Sequence, residues 1–169
     1  QTFSRVSIRN NNFLKGIFFG IEGGSEAIRI LKKITKGLKS RTIVLSKNKK
    51  SLYHLGCVVS SNFLVANFYV LKLISGELGI SEKNFSEILY PLFSTTVKNL
   101  HLFGVNGSLT GPVSRGDIKT IETHLSLLHS KFPKYVEYYK TVSLILSEVS
   151  AKQNNKINYK RISKIINNG

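Results

Sequence analysis

The sequence predicts a mostly α chain, a helical bundle preceded by a short β-α-β unit of α/β type. Two observations carry this. From about residue 48 onward, apolar residues recur every three to four positions, the helical period. Before that, two short β-branched and aromatic runs flank one amphipathic segment. The change of period near Lys47 divides the chain into residues 1–46 and a helical domain, 47–169.

Residues 1–12 read as loop. Lys15 to Glu22 reads as a strand closed by Gly23-Gly24, and Ser25 as the N-cap of a helix with Ile28, Leu31, Ile34 and Leu38 on one face. Arg41 to Ser46 reads as a second strand. Short connections around a helix imply a parallel pair, and two strands alone do not make a stable sheet. Residues 1–46 therefore read as the end of a larger α/β domain. The absence of Met from all 169 residues also suggests a piece of a longer protein.

The first helix of the second domain is expected over Asn48 to Gly76, buried among others or at a dimer interface. The next starts at Ser81 and buries Phe85, Ile88, Leu89, Leu92, Phe93, Val97 and Leu100, with a kink at Pro91. Gly104 to Gly116 reads as a loop. Asp117 caps a helix with Ile118, Ile121, Leu125 and Leu128 inward. A further helix, about 134–151, turns Tyr135, Tyr138, Val142, Ile145 and Val149 inward. The end, from Asn154, is polar and basic and reads as a frayed last helix.

The formal charge is +16, from 25 Lys+Arg against 9 Asp+Glu. That favours polyanions. The basic residues are scattered, however, and the chain is also rich in Asn and Ile, so a compositional bias accounts for the charge. No nucleic-acid partner is expected on this reading. One cysteine, Cys57, excludes an intramolecular disulfide and fits a reducing, cytoplasmic setting. The helix from Asn48 is long enough to cross a bilayer, but His54, Ser60, Ser61, Asn62 and Asn67 interrupt it, so no membrane is expected.

The candidate chemistry starts in that helix. His54, Val58 and Asn62 are spaced i, i+4, i+8, a drift of about 80°, and Ser61 lies closer still to His54. An imidazole can exchange a proton near neutral pH and an amide can hold an oxygen in place. The plain alternative is a buried His and Asn satisfied by backbone and each other. A second constellation is Leu109-Thr110-Gly111-Pro112-Val113-Ser114-Arg115-Gly116-Asp117, a hydroxyl and a guanidinium at the mouth of a helix, suited to a carboxylate or phosphate. No metal-ligand spacing, no GxGxxG and no GxxxxGK[ST] occur in the sequence.

The order QTFS, KGIFFGIEG, YHLGCVVSSN, then LTGPVSRGD before a helix with His124, resembles a family of uncharacterised Rossmann-like oxidoreductases. These join an NADP-binding domain to a helical C-terminal domain of unknown function, similar to the C-terminal domains of the 6-phosphogluconate dehydrogenase superfamily. In ketopantoate reductase, of that superfamily, the catalytic helix carries Lys-x3-Asn-x3-Asn. Here His54 stands at the lysine, Asn62 matches the second asparagine and Val58 departs from the first. The resemblance implies NADP or NAD as cofactor, a helix facing the nicotinamide, and a homodimer through the helical domain. Since the dinucleotide fingerprint is absent, this chain by itself is expected to bind the cofactor weakly or not at all.

The expected function is hydride transfer between nicotinamide and a small hydroxy/keto or imino substrate. His54 and Asn62 are the candidate catalytic residues, with Ser61, Thr110 and Arg115 as substrate contacts. A non-catalytic dinucleotide-sensing or dimerising module and a basic nucleic-acid-binding protein remain the alternatives.

Overall fold

The computed structural model describes residues 14–152 and 159–168. The QTFS segment and the expected loop over 1–12 lie outside them. The chain divides into two compact units, Gln1–Tyr69 and Val70–Gly169, with the division inside one long helix. The fold is mostly helical with a small β-α-β start, as the hydrophobic pattern implies.

In the first unit, β1 (Phe18–Ile21) and β2 (Arg41–Val44) pair in parallel, Phe18 opposite Arg41 and Ile21 opposite Val44. Parallel pairing requires a crossover connection, and α1 (Ser25–Gly37) supplies it. Both strands are shorter than expected. Gly24 occupies the N-cap of α1 and Ser25 is the first helical residue, with no side-chain cap. The one buried residue of the helix is Thr35, which is 5% exposed and donates its hydroxyl to the Leu31 carbonyl at 3.1 Å. Ile28 and Leu31 are half-buried, while Ile34 and Leu38 are exposed. Two four-residue strands offer too little surface to cover a four-turn apolar face. The Arg41 guanidinium sits 4.3 Å from the Phe18 ring centroid, shielding one exposed aromatic.

A 3-10 turn (Lys47–Lys49) leads into α2 (Lys50–Glu77). The second unit takes the end of α2, then α3 (Glu82–Ser108), α4 (Pro112–Arg115), α5 (Ile118–Lys131), α6 (Val136–Ala151) and α7 (Tyr159–Asn168). Two expected caps hold: the Ser81 hydroxyl accepts from the Asn84 amide, and the Asp117 carboxylate from the Thr120 amide. The core of this unit is Val113, Ile121, Leu125, Val136, Tyr159, Ile162 and Ile166. It draws on α4 to α7, so the last helix is packed rather than frayed.

Four expectations about helices are corrected. α3 does not bury its apolar residues: Ile88, Leu92, Val97 and Leu100 are exposed, and Phe85, Leu89 and Phe93 only half-buried. Its backbone stays helical through Pro91 and departs instead at Gly104 (φ 68°, ψ −175°), a conformation open to glycine. The expected loop over 104–116 is thus helix to Ser108, then the short α4. In α6 the inward face is Val136, Ser143, Ser147 and Ser150, while Tyr138, Val142 and Ile145 are exposed. The serine face brings α7 close, with Ser147 Oγ 3.3 Å from Ser163 Oγ.

Candidate functional site

In the first unit the opening turn of α2 is seated at the carboxyl ends of β1 and β2. Gly20 makes this possible. A Cβ there would stand 3.0 Å from Leu45 Cδ1 and 3.2 Å from Tyr53 Cε1, so the tyrosine ring lies almost on the strand backbone. Burial raises the Tyr53 phenol above its ordinary value, and the neighbouring Cys57 adds to this. A second tie is ionic: Lys50 Nζ lies 3.5 Å from Glu22 Oε2, just beyond the end of β1. That carboxylate oxygen is buried and accepts no hydrogen bond among the described residues. In open α/β sheets, the carboxyl ends of the strands are where ligands bind.

His54 follows Tyr53 directly. Because α2 is continuous, His54, Ser61 and Asn62 share one side of it, over a rise of about 12 Å. All three are exposed and Val58 between them is half-buried. The helix was expected to be buried among others or at a dimer interface, and within this chain nothing among the described residues covers it along this stretch. Within this chain His54 and Asn62 are exposed residues and do not form a sealed core pair. Ser60 turns inward on its own helix and donates to the Cys57 carbonyl at 3.1 Å.

Thr110 and Arg115 belong to the second unit, Thr110 just before α4 and Arg115 its last residue, and both are exposed. Asp117, two residues on, is tied to α5 through the Thr120 amide at 3.1 Å and the Thr120 hydroxyl at 2.7 Å. The Thr120 hydrogen bonds hold its carboxyl below the usual aspartate range, helped by the charges of Arg115 and His124. Asp117 is thus an N-cap first.

Two groups were missed from sequence. Glu22 stood in a quoted motif but carried no spacing signal. His124 and Tyr139, 15 positions apart, meet only because α5 and α6 pack: His124 Nδ1 is 3.0 Å from Tyr139 Oη, with the rings edge to face. Among the described residues no group of three or more His, Cys, Asp or Glu side chains could hold a metal ion.

The chain is similar to two solved structures. Protein TM1727 from Thermotoga maritima is 34% identical, with a TM-score of 0.71, and the match covers 80% of this chain and 54% of that one. The candidate NADP oxidoreductase BF3122 from Bacteroides fragilis is 22% identical, with a TM-score of 0.63, covering 75% of this chain and 47% of that one. At that identity the second likeness shows shared fold alone. The chain spans about half the length of both structures. No curated protein matches it. A family model, the domain of unknown function DUF2520, matches residues 17–145. That match takes in β1 through most of α6, and the chain belongs to the DUF2520 family.

Proposed function

We propose that the chain is part of a cytoplasmic NAD(P)-dependent oxidoreductase, with a helical domain of the 6-phosphogluconate dehydrogenase C-terminal-like kind. The observation that carries this is the placement of the His54, Ser61 and Asn62 side of α2. It is exposed, and it begins where the parallel strands end. The similarity to a candidate NADP oxidoreductase supports the cofactor class.

The residues present fit the nicotinamide end of a dinucleotide. Glu22 Oε2 is buried at the end of β1, pairs with Lys50 Nζ at 3.5 Å and accepts no hydrogen bond among the described residues, which leaves it capacity for an N–H or O–H donor. When bound, the nicotinamide supplies or takes up the hydride. His54 then gives or takes the proton at the substrate oxygen or nitrogen, and the Asn62 amide fixes the orientation of that group. Ser61 adds a supporting hydroxyl. In the second unit, Thr110 and Arg115 offer a hydroxyl and a guanidinium suited to a carboxylate or phosphate. Val58, apolar where the related catalytic helix has an amide, favours a second reading: a dinucleotide sensor that kept the fold without the reaction.

Self-association belongs to the same proposal. Ile88, Leu92 and Phe103 on α3 are 61%, 68% and 63% exposed, and Lys98 is the one formal charge between Pro91 and Ser108. A long uncharged face suits an identical face. Lys47–Glu77 is long and apolar enough to cross a membrane by length and composition; its run of His, Ser and Asn assigns it here to protein surroundings.

The test is His54→Ala in the full-length protein, assayed with NADP and NAD against short 2-hydroxy and 2-keto acids. Turnover falls by roughly 100-fold or more while dinucleotide affinity is unchanged. A wild-type protein that binds dinucleotide and turns over nothing establishes the sensor. A His54→Ala protein with full turnover removes His54 from the chemistry.

A further inference from the structure

Glu22 directly follows the last residue of β1, at the carboxyl end of the strand pair. Its Oε2 is buried and accepts no hydrogen bond among the described residues. Lys50 Nζ lies 3.5 Å away. That is longer than the bond of about 2.7–2.9 Å by which an ammonium donates to a carboxylate. A carboxylate oxygen only accepts and an ammonium only donates, through three N–H groups. An acceptor and a donor therefore stand side by side with capacity left on both. Their placement is fixed. Glu22 is set by the strand, and Lys50 by the first turn of α2, which the Tyr53 ring seats against Gly20. His54 comes one turn after Lys50, about 6 Å along the same side of the helix.

We infer that Glu22 and Lys50 read the carboxamide of the nicotinamide, with Glu22 Oε2 accepting one of its N–H groups and Lys50 Nζ donating to its carbonyl. The inference rests on the dinucleotide reading above and deepens it, making Glu22 a specificity-determining residue for enzyme and sensor alike. A primary amide carries a donor and an acceptor on one planar group, which matches this pair. A ketone in the same position would leave the buried oxygen without a donor, and an unsatisfied buried acceptor is costly. An acid there would also set its own negative charge against that of Glu22.

The test is binding, measured by calorimetry on the full-length protein without substrate. Three dinucleotides differ only at the side group of the pyridine ring. NAD has the carboxamide, 3-acetylpyridine adenine dinucleotide a ketone, and nicotinic acid adenine dinucleotide a carboxylate. Their 2′-phosphorylated forms are measured alongside. The carboxamide binds roughly tenfold more tightly than the ketone, and the acid binds weakest. Glu22→Gln, which keeps the shape and removes the charge, closes the gap between acid and ketone, whereas Lys50→Gln widens it. Equal affinity of the wild-type protein for all three overturns the inference and leaves the dinucleotide reading standing, a result that needs no variant to fold. Tighter binding of the acid than of the carboxamide assigns the contact to Lys50 alone and also overturns it. Absence of binding of any of these dinucleotides at millimolar concentration overturns both.

Discussion

The Tyr53 ring lies against Gly20 so closely that a Cβ on the strand would come within 3.2 Å of Tyr53 Cε1. The contact fixes the first turn of α2 on the sheet, and with it the position of His54. Gly20→Ala forces the ring and Leu45 to yield by a few tenths of an ångström. Gly20→Val adds two more methyl groups to the same space and costs about 1–3 kcal/mol. Thermal denaturation followed by circular dichroism checks the order wild type, Ala, Val, and a stability unchanged by Val would mean the turn is not seated there.

Ile162 anchors α7 in the core at 1% exposure. Ile162→Ala leaves a cavity and lowers stability by about 2–5 kcal/mol, measured by urea unfolding. A polar terminal helix with no packing role would show a change near zero.

Ser150 is fully buried on α6, and its hydroxyl has no partner among the described residues. Its removal deletes an unsatisfied polar group and little volume. Ser150→Ala therefore stabilises by about 1 kcal/mol, seen as a higher urea midpoint at unchanged slope. A loss of stability would reveal a hydrogen bond at this hydroxyl.

The raised Tyr139 phenol gives an alkaline signature. Its folded pKa lies above its unfolded one, so its contribution is full below the unfolded value, about 10, and is lost as pH rises through the folded value. In Tyr139→Phe this part of the alkaline decline disappears. Phenolate absorbance, compared between the two proteins, shows whether the missing tyrosine was one that ionises late.

If α3 pairs with a second copy, Leu92→Glu dissociates the protein at micromolar concentration with little change in helix content. Sedimentation reads this directly. A wild-type protein that is monomeric at all concentrations removes the proposed dimer.

The sequence revealed what is local. Ser81 and Asp117 were recognisable as caps because each bonds an amide three residues away. Helix α7 was also legible, since Tyr159, Ile162 and Ile166 fall at i, i+3 and i+7, but its lysines and asparagines masked the stripe. The faces of α3 and α6 were misread because periodicity marks an apolar side without saying what covers it. In α6 the covered side proved to be serine. The candidate site divides the same way. His54, Ser61 and Asn62 share a helix and follow from counting, whereas His124 and Tyr139 come together only through α5 and α6.

Ser143, Ser147 and Ser150 are the buried serines of α6, and Ser147 lies opposite Ser163 of the last helix. At that point a side chain much larger than alanine or serine would wedge the two helices apart, since the two hydroxyls already meet at 3.3 Å.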